Sequence, residues 1–538
     1  MGKKRMSETV LGRTGNKSNK LWVTIGFIII GLIVIAKMDI ESCDTYFMVK
    51  HGEDILQNGF YREYDTFSMH DGLEFMSQKW ATCVITYLLY TMSGMTGIRI
   101  ASNVLTFGLF CLMYVTLNKL SPNTKNVNIL VAVPMFCGML EYAVFRPHLI
   151  AAYFLFYELI CFEKYVRGEM KQKALYIQLF CISLCTMWFH STMWYMCIVF
   201  AMPYLLDIKY IADGIQTNEY PIIKNVKHVS YDKKPLLIGV IMMLIASLLQ
   251  PYGLEQYKYM FVCLTATGEK YSHISELHPL SLTSPMSHCL FLIIAIIAFI
   301  AVKYKSIQLR CVYMFVGGLL LAGMANRLFF FSMLLYVIVI GNALGKGITD
   351  EVKDQLNKKT SNIVTIITNT SVIIACIVWV ISIGYFTVES NFISQYHKGK
   401  GFYAVDVLIN NISDTDDVTV FSDVDVGSYM IVRGLHPYID CRAEVYDIRV
   451  NNEKDILNEY HYLLLGEYNG QSLEDASVVQ QFMDTYNFDY YILIKDVGRY
   501  DLEIRHMYEV IEEELYCNYE DEYYAIYSAS DFRQFEYN

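Results

Sequence analysis

Arginine, histidine and carboxylate side chains sit at the ends of long apolar runs in this sequence. Asp39, Glu41 and Asp44 follow the first run. Arg146 and His148 flank a proline ahead of another, and His190 and Gln250 close two more. Asn326 and Arg327 interrupt two apolar runs that would otherwise be continuous. A carboxylate at such a place can accept a proton from a hydroxyl. A guanidinium presents a planar fork that matches two oxygens of a phosphate. Charges beside hydrocarbon are costly unless they reach water or a partner. Taken singly, each residue reads as a polar helix end among lipid headgroups. For His190 that plain reading is the stronger one; for Arg327 the anion-binding reading is stronger. Taken together, both signs on one face describe a charged cavity open to the outer leaflet.

The elements that would bring these residues together follow from composition. The chain has 538 residues, 54% of them hydrophobic, with a mean hydropathy of +0.30. Apolar runs of about 18 residues recur, the length that crosses a bilayer. They are continuous rather than alternating, which predicts helices. Spans are expected at Leu21–Ala36, Ile98–Leu117, Val127–Val144, Leu149–Phe162, Ala174–Phe189, Thr192–Leu206, Leu236–Leu249, Met286–Val302, Leu309–Met324, Leu328–Leu344 and Ile363–Phe386. The stretch Trp80–Ser93 is shorter, and positive charge decides its place. Lys3, Lys4, Arg5 and Arg13 put the N-terminus inside. The basic loops at Lys119–Lys125, Lys164–Lys173, Lys209–Lys234, Lys303–Arg310 and Lys346–Lys359 are then all cytoplasmic only if Trp80–Ser93 does not cross. It is therefore expected along the outer interface. The reading is a polytopic α-helical membrane protein of about eleven spans, with interfacial helices. The basic segment Met1–Lys20 and the first run have no small-residue cleavage site after them, which predicts an uncleaved first span.

The net charge of −11 averages two unlike bodies. Residues 388–538 hold about 30 acidic against about 10 basic side chains, so the rest is net basic. The expected organisation is a cytoplasmic tail (1–20), a transmembrane domain (21–387) with an outer loop at 38–80, and an extracytoplasmic domain (388–538). In the last, strands are predicted at Val418–Phe421, His436–Asp440, Tyr490–Ile494 and Tyr523–Tyr527, alternating with helices at Ala404–Asn410, Gly427–Val432, Val478–Tyr486 and Ile504–Glu514. That alternation predicts an α/β layer domain. An acidic tail domain argues against nucleic acid as a partner. The 14 cysteines include no metal-type CxxC pair. In the tail, Cys441 and Cys517 are either a pair or two free thiols.

The outer loop runs from Asp44 through Phe47, Met48, Ile55 and Leu56 at helical spacing to Gly59. An amphipathic helix in the interface plane is expected, with Asp44 as its N-cap and Gly59 as its stop. An acid after the first span, an amphipathic helix and a glycine fifteen residues on resemble the first outer loop of the GT-C superfamily. The string Asp44-Thr-Tyr-Phe through Gly59 to Tyr64-Asp65-Thr-Phe-Ser68 and Lys79-Trp80 is similar to a bacterial, largely uncharacterised branch. Arg146-Pro147-His148, Trp188-Phe-His190, Gln250-Pro-Tyr-Gly253, Ile274-Ser-Glu276, Asn326-Arg327, Asp423-Val-Asp425-Val-Gly427 and Tyr438-Ile-Asp440-Cys-Arg442-Ala-Glu444 continue the likeness in order.

The resemblance implies a membrane glycosyltransferase that takes a sugar from a polyprenyl-phosphate donor at the outer face, with inversion. The acceptor would be a cell-surface glycan, lipid or protein. Asp44 would be the base, with Asp39 and Glu41 as candidate acidic partners. Arg327, Arg146, His148 and His190 would hold the donor phosphate. Several members have two adjacent acids where this chain has Asp44-Thr45, so which acid acts stays open among the three. No cofactor is expected; a divalent ion at Asp423 and Asp425 is the lesser alternative to solvated turn acids. The competing function is a transporter or handling protein for polyprenyl lipid or polysaccharide, without transferase activity. Neither an internal repeat nor a pair of short broken spans argues for it.

Overall fold

Most apolar runs become helices, and the breaks between them are set by proline, glycine and polar residues. The computed structural model describes residues 31, 43–122 except 60 and 62, 125–216 except 143, 226–265, 271–304 except 273 and 283, 307–346, 401–495 except 414, 416 and 417, and 504–536. The expected first span Leu21–Ala36, the last span Ile363–Phe386, and Asp39 and Glu41 lie outside the described residues, Gly31 apart.

Helices occupy Pro147–Val166, Gln172–His190, Tyr195–Leu205, Lys234–Ser247, Pro285–Tyr304, Leu309–Met324 and Asn326–Lys346. Pro147 opens its helix because its missing N–H and fixed φ suit the first helical position, and Arg146 before it is extended (φ −135°, ψ 160°). The expected span Val127–Val144 is shorter. It runs as Lys125–Cys137 with Pro134 inside, then breaks before the short turn Leu140–Tyr142. Trp80–Leu120 is one helical stretch with a break at Ser93 (φ −153°) and Gly94 (φ 60°). That break separates the Trp80–Ser93 stretch from the apolar run after it. Three described helices, Trp80–Leu120, Gln172–Met193 and Asn326–Gly345, are long and apolar enough to cross a membrane, and shorter apolar helices pack beside them.

One cluster of buried side chains binds this bundle from Leu109 to Leu344. The Pro147–Val166 helix is about 30 Å long. At its far end Glu163 accepts from Arg310 Nε and Nη2, both at 3.1 Å, and from the Tyr204 hydroxyl at 3.0 Å. These bonds tie the Pro147–Val166 helix to Leu309–Met324 and Tyr195–Leu205. His148 stands at the other end.

The helix Asp44–Asn58 differs from expectation in two ways. Cys43 is its N-cap and is already helical (φ −55°, ψ −34°), so Asp44 lies inside the first turn. Its apolar face is covered by protein except at the exposed Leu56: Phe47, Met48 and Ile55 join a cluster with Phe421, Ile431, Tyr438 and Tyr446 from the tail. Gly52 backs onto the Cys83 carbonyl, where an added Cβ would come within 2.1 Å of the oxygen. This contact sets the spacing between the Asp44 helix and the helix that starts at Trp80.

The tail folds around a five-stranded mixed sheet. Its strands are β1 (Thr419–Phe421), β2 (His436–Pro437), β3 (Tyr490–Ile494), β4 (Tyr516–Glu520) and β5 (Tyr524–Ser528). Their order is β2-β1-β3-β5-β4, parallel between β2, β1 and β3 and antiparallel thereafter. Helices at 401–411, Val424–Val432, Ile456–Leu464, Ala476–Tyr486 and Arg505–Glu514 pack around it. Strand β4 and the helix Ile456–Leu464 were not predicted. Asp423 caps Val424–Val432 through the Val426 N–H at 2.9 Å, and burial, followed by the neighbouring Asp425, raises its pKa to about 6. Cys441 and Cys517 are both free thiols.

Arg442 locks the tail to the loop that includes Asp65. Its Nε donates to Asp440 Oδ1 at 2.8 Å and its Nη2 to Asp440 Oδ2 at 2.6 Å, while Nη1 pairs with Asp65. The guanidinium also lies 4.6 Å from the centre of the Phe47 ring.

Candidate active site

Asp44 is the hub of the charged residues at this face. Its Oδ1 lies 3.3 Å from Lys79 Nζ and its Oδ2 lies 3.5 Å from Arg146 Nε. Arg146 in turn pairs with Glu276 at 2.9 Å. The Cys441 thiol reaches Asp44 Oδ1, the oxygen that faces Lys79, at 3.6 Å and also meets Cys43. Burial pushes the Asp44 pKa up, but Lys79, Arg146 and His148 outweigh it and hold the carboxyl well below the usual range. Burial likewise lowers the Lys79 pKa, and Asp44 and then Glu444 more than restore it, so the ammonium stays charged. The first helical turn adds its own favourable field for an ionised Asp44.

A second layer holds this hub in place. Gln78 donates to Glu444 of the tail at 2.5 Å. The Gln78 carbonyl accepts the Ser191 N–H at 2.9 Å, which ties the segment before Lys79 to the turn after His190. Gln256 donates to the Ser191 hydroxyl at 2.8 Å. The rings of His148 and His190 meet edge to face with centroids 4.4 Å apart, and Thr192 bonds to His190 Nδ1 at 3.2 Å. Both imidazoles lie in the field of Lys79, Asp44 and Arg327.

Arg327 is the second residue of the Asn326–Lys346 helix, placed by the extended Ala325 and by the Asn326 N–H, which donates to the His278 carbonyl at 2.7 Å. Three buried nitrogens at this face make no hydrogen bond among the described residues: Arg327 Nε, His148 Nε2 and His190 Nε2. Buried polar atoms without partners are rare in native proteins, and a ligand oxygen would satisfy Arg327 Nε and whichever imidazole nitrogen carries its proton. Gln250 does something else. Its side chain closes the turn Gln250–Gly253, accepting from the Tyr252 N–H at 2.8 Å and donating to the Gly253 carbonyl at 2.6 Å.

The structure therefore gathers Asp44, Arg146, His148, His190 and Arg327 at one end of the bundle. Sequence reasoning gave no role to Lys79, Glu276, Cys441 or Glu444. The signal for Lys79 was present: a lysine directly before the apolar helix that starts at Trp80. No local signal points to the tail residues. Among the described residues, no group of three His, Cys, Asp or Glu side chains is placed to hold a metal ion.

No family model matches the sequence, and no curated protein does. Solved structures do match. The oligosaccharyltransferase of Archaeoglobus fulgidus, tethered with an acceptor peptide containing the NVT sequon, aligns over 95% of this chain and 74% of that one, with a TM-score of 0.55 and 12% identity. ArnT from Cupriavidus metallidurans bound to undecaprenyl phosphate aligns over 95% of this chain and 98% of that one, with a TM-score of 0.50 and 8% identity. The same protein in its apo state gives a TM-score of 0.51 at 9% identity over 96% of this chain and 98% of that one. Both proteins are GT-C glycosyltransferases. With its apolar helices and this architecture, the chain is a membrane protein of the GT-C-like fold.

Proposed function

We propose that the protein is an inverting glycosyltransferase that moves a sugar from a polyprenyl-phosphate donor to an acceptor hydroxyl at the outer face of the cell membrane. The observation that carries this is the set of unpartnered nitrogens on Arg327, His148 and His190 beside Asp44. A polyprenyl phosphate supplies oxygens for the Arg327 guanidinium and for the imidazoles in their Nε2–H tautomers, and an apolar tail for the surrounding helices. ArnT, which shares the fold, was solved with undecaprenyl phosphate bound. The topology that goes with this reading has residues 1–20 inside and residues 388–538 outside, with about eleven spans between.

The acceptor oxygen attacks the anomeric carbon as its proton passes to a carboxylate. The bond from that carbon to the phosphate oxygen breaks, and the lipid phosphate leaves with the electron pair. Donors aimed at the leaving oxygens stabilise the charge as it develops. Asp44 is a weak base while Lys79 and Arg146 hold it. An incoming phosphate competes for those two cations, so donor binding itself would raise the basicity of Asp44. Asp39 and Glu41 are the alternative bases.

The test is release of polyprenyl phosphate and transfer of a labelled sugar in vesicles containing the purified chain and a polyprenyl-phosphate sugar. Arg327→Gln should lower turnover at least about tenfold through loss of one charge-assisted contact. Unchanged turnover removes Arg327 from the site. Failure of the native chain to bind the lipid phosphate overturns the reading.

A further inference from the structure

A cavity of about 430 Å³ opens beside the charged centre, within the roughly 300–1,000 Å³ range of ligand sites. Three separate parts of the chain wall it. The outer loop gives Tyr61, Glu63 and Glu74, the segment after Gln250 gives Tyr252, Glu255 and Lys258, and the tail gives Arg449. We infer that this cavity binds the acceptor as a glycan chain of neutral or amino-bearing sugars, and discriminates against polyanionic chains.

The aromatic wall is the first reason. Tyr61 is 57% exposed, and its ring lies 5.2 Å from that of Tyr252 at 31°. An exposed large apolar side chain on a cavity wall gains by covering. Two neighbouring tyrosine rings, tilted 31° to each other, offer electron-rich faces that suit the apolar C–H face of a pyranose.

Charge is the second reason. Glu63, Glu74 and Glu255 face the space against Lys258 and Arg449. Arg449 is already spent, since its Nη2 donates to Asp447 at 2.6 Å. Among the described residues the excess is negative, so a chain of phosphates would be repelled, whereas sugar hydroxyls and ammonium groups find acceptors.

Connection to the charged centre is the third. The Ser77 N–H donates to the Tyr252 hydroxyl at 3.1 Å. Tyr259, also on the wall, hydrogen-bonds to Glu444, which accepts from Gln78 at 2.5 Å. The segment Ser77–Lys79 thus touches the cavity wall on one side and Asp44 on the other. A glycan lying on the two tyrosines would rest on the same segment that carries Lys79 to Asp44.

The word acceptor rests on the transferase reading, but the binding does not need turnover. Saturation-transfer NMR on the full chain in nanodiscs would use a chitin tetrasaccharide, its de-N-acetylated form and a glycerol-phosphate oligomer as probes. The first two should bind, the de-N-acetylated form more tightly, and the third should not. Tyr61→Ala should weaken binding about tenfold, and Tyr61→Phe should restore it, since the ring face carries the contact. Glu255→Gln should narrow the preference for the amino form. Equal binding by Tyr61→Ala, preference for the glycerol-phosphate oligomer, or no binding of either sugar probe overturns the inference. Donor-lipid binding measured on the same samples tells this failure from failure of the transferase reading.

Discussion

Arg442 and its two carboxylates are almost wholly buried, at 1% exposure for the arginine and 0% for Asp65 and Asp440. Two negative charges and one positive charge share a space lined by Phe47, Phe67 and Phe75. Removing one partner of a buried pair costs about 3–5 kcal/mol, because the other charge stays without compensation. In Asp65→Asn, Arg442 keeps both contacts to Asp440, so the cost should fall near the lower end, about 3 kcal/mol. Arg442→Met strands two carboxylates and should cost near the upper end, about 5 kcal/mol. With both changes the neutral amide in place of the Asp65 carboxylate no longer repels Asp440, so the double variant should cost about 2 kcal/mol less than the sum. Hydrogen-exchange mass spectrometry of residues 65–75 and 438–446 reads this as local opening. At 1.4 kcal/mol per tenfold, exchange in Asp65→Asn should accelerate about a hundredfold. Additive effects within about 0.5 kcal/mol, or unchanged exchange in Asp65→Asn, would refute the reasoning.

The seam between loop and tail should also weaken in mild acid. Burial lowers the His51 pKa to about 3 and the His70 pKa to about 4, although their bonds to Ser77 (2.6 Å) and the Tyr438 carbonyl (2.8 Å) persist. Both folded values lie below the ordinary one, so the opened state takes up protons first as pH falls below about 6.5, and stability drops until the folded values are reached. From pH 7 to pH 5 each histidine should cost about 2 kcal/mol, visible as faster exchange at the seam and abolished by His51→Gln with His70→Gln. Gly52→Ala should force its helix off the Cys83 carbonyl at a cost of about 1–3 kcal/mol and lower turnover by moving Asp44 from Lys79, as a thermal-shift and activity pair would record. A cysteine placed at Gly168 should resist an impermeant thiol reagent added outside; labelling there would overturn the eleven-span reading.

The bundle was more legible than the site because helices announce themselves locally. Leu309–Met324 has the same ends in sequence and structure, and the small residues Ser93 and Gly94 mark the break in the long helix. Pro134 and Gly138 carried the warning that Val127–Val144 would not continue. The Asp44 helix was read correctly as amphipathic, but its apolar face suits lipid and protein alike, and Phe421 and Tyr438 that cover it are far along the chain. Asp44 and Cys441 are 397 positions apart, and Arg442 and Asp65 are 377 apart. No periodicity encodes such pairs. Strand β4 escaped because Cys517, Asn518 and Glu520 dilute its pattern; it is held by pairing to β5.

Transfer of labelled sugar by Asp44→Asn in vesicles given the lipid donor tests the central claim most directly. Asparagine keeps the shape and removes the base, and Lys79 and Arg146 keep Glu444 and Glu276 as counter-charges, so hydrogen exchange at the loop and tail should change far less than in Asp65→Asn while transfer falls about a hundredfold or more. Near-normal transfer by Asp44→Asn would contradict the account and turn attention to Glu41 and Asp39.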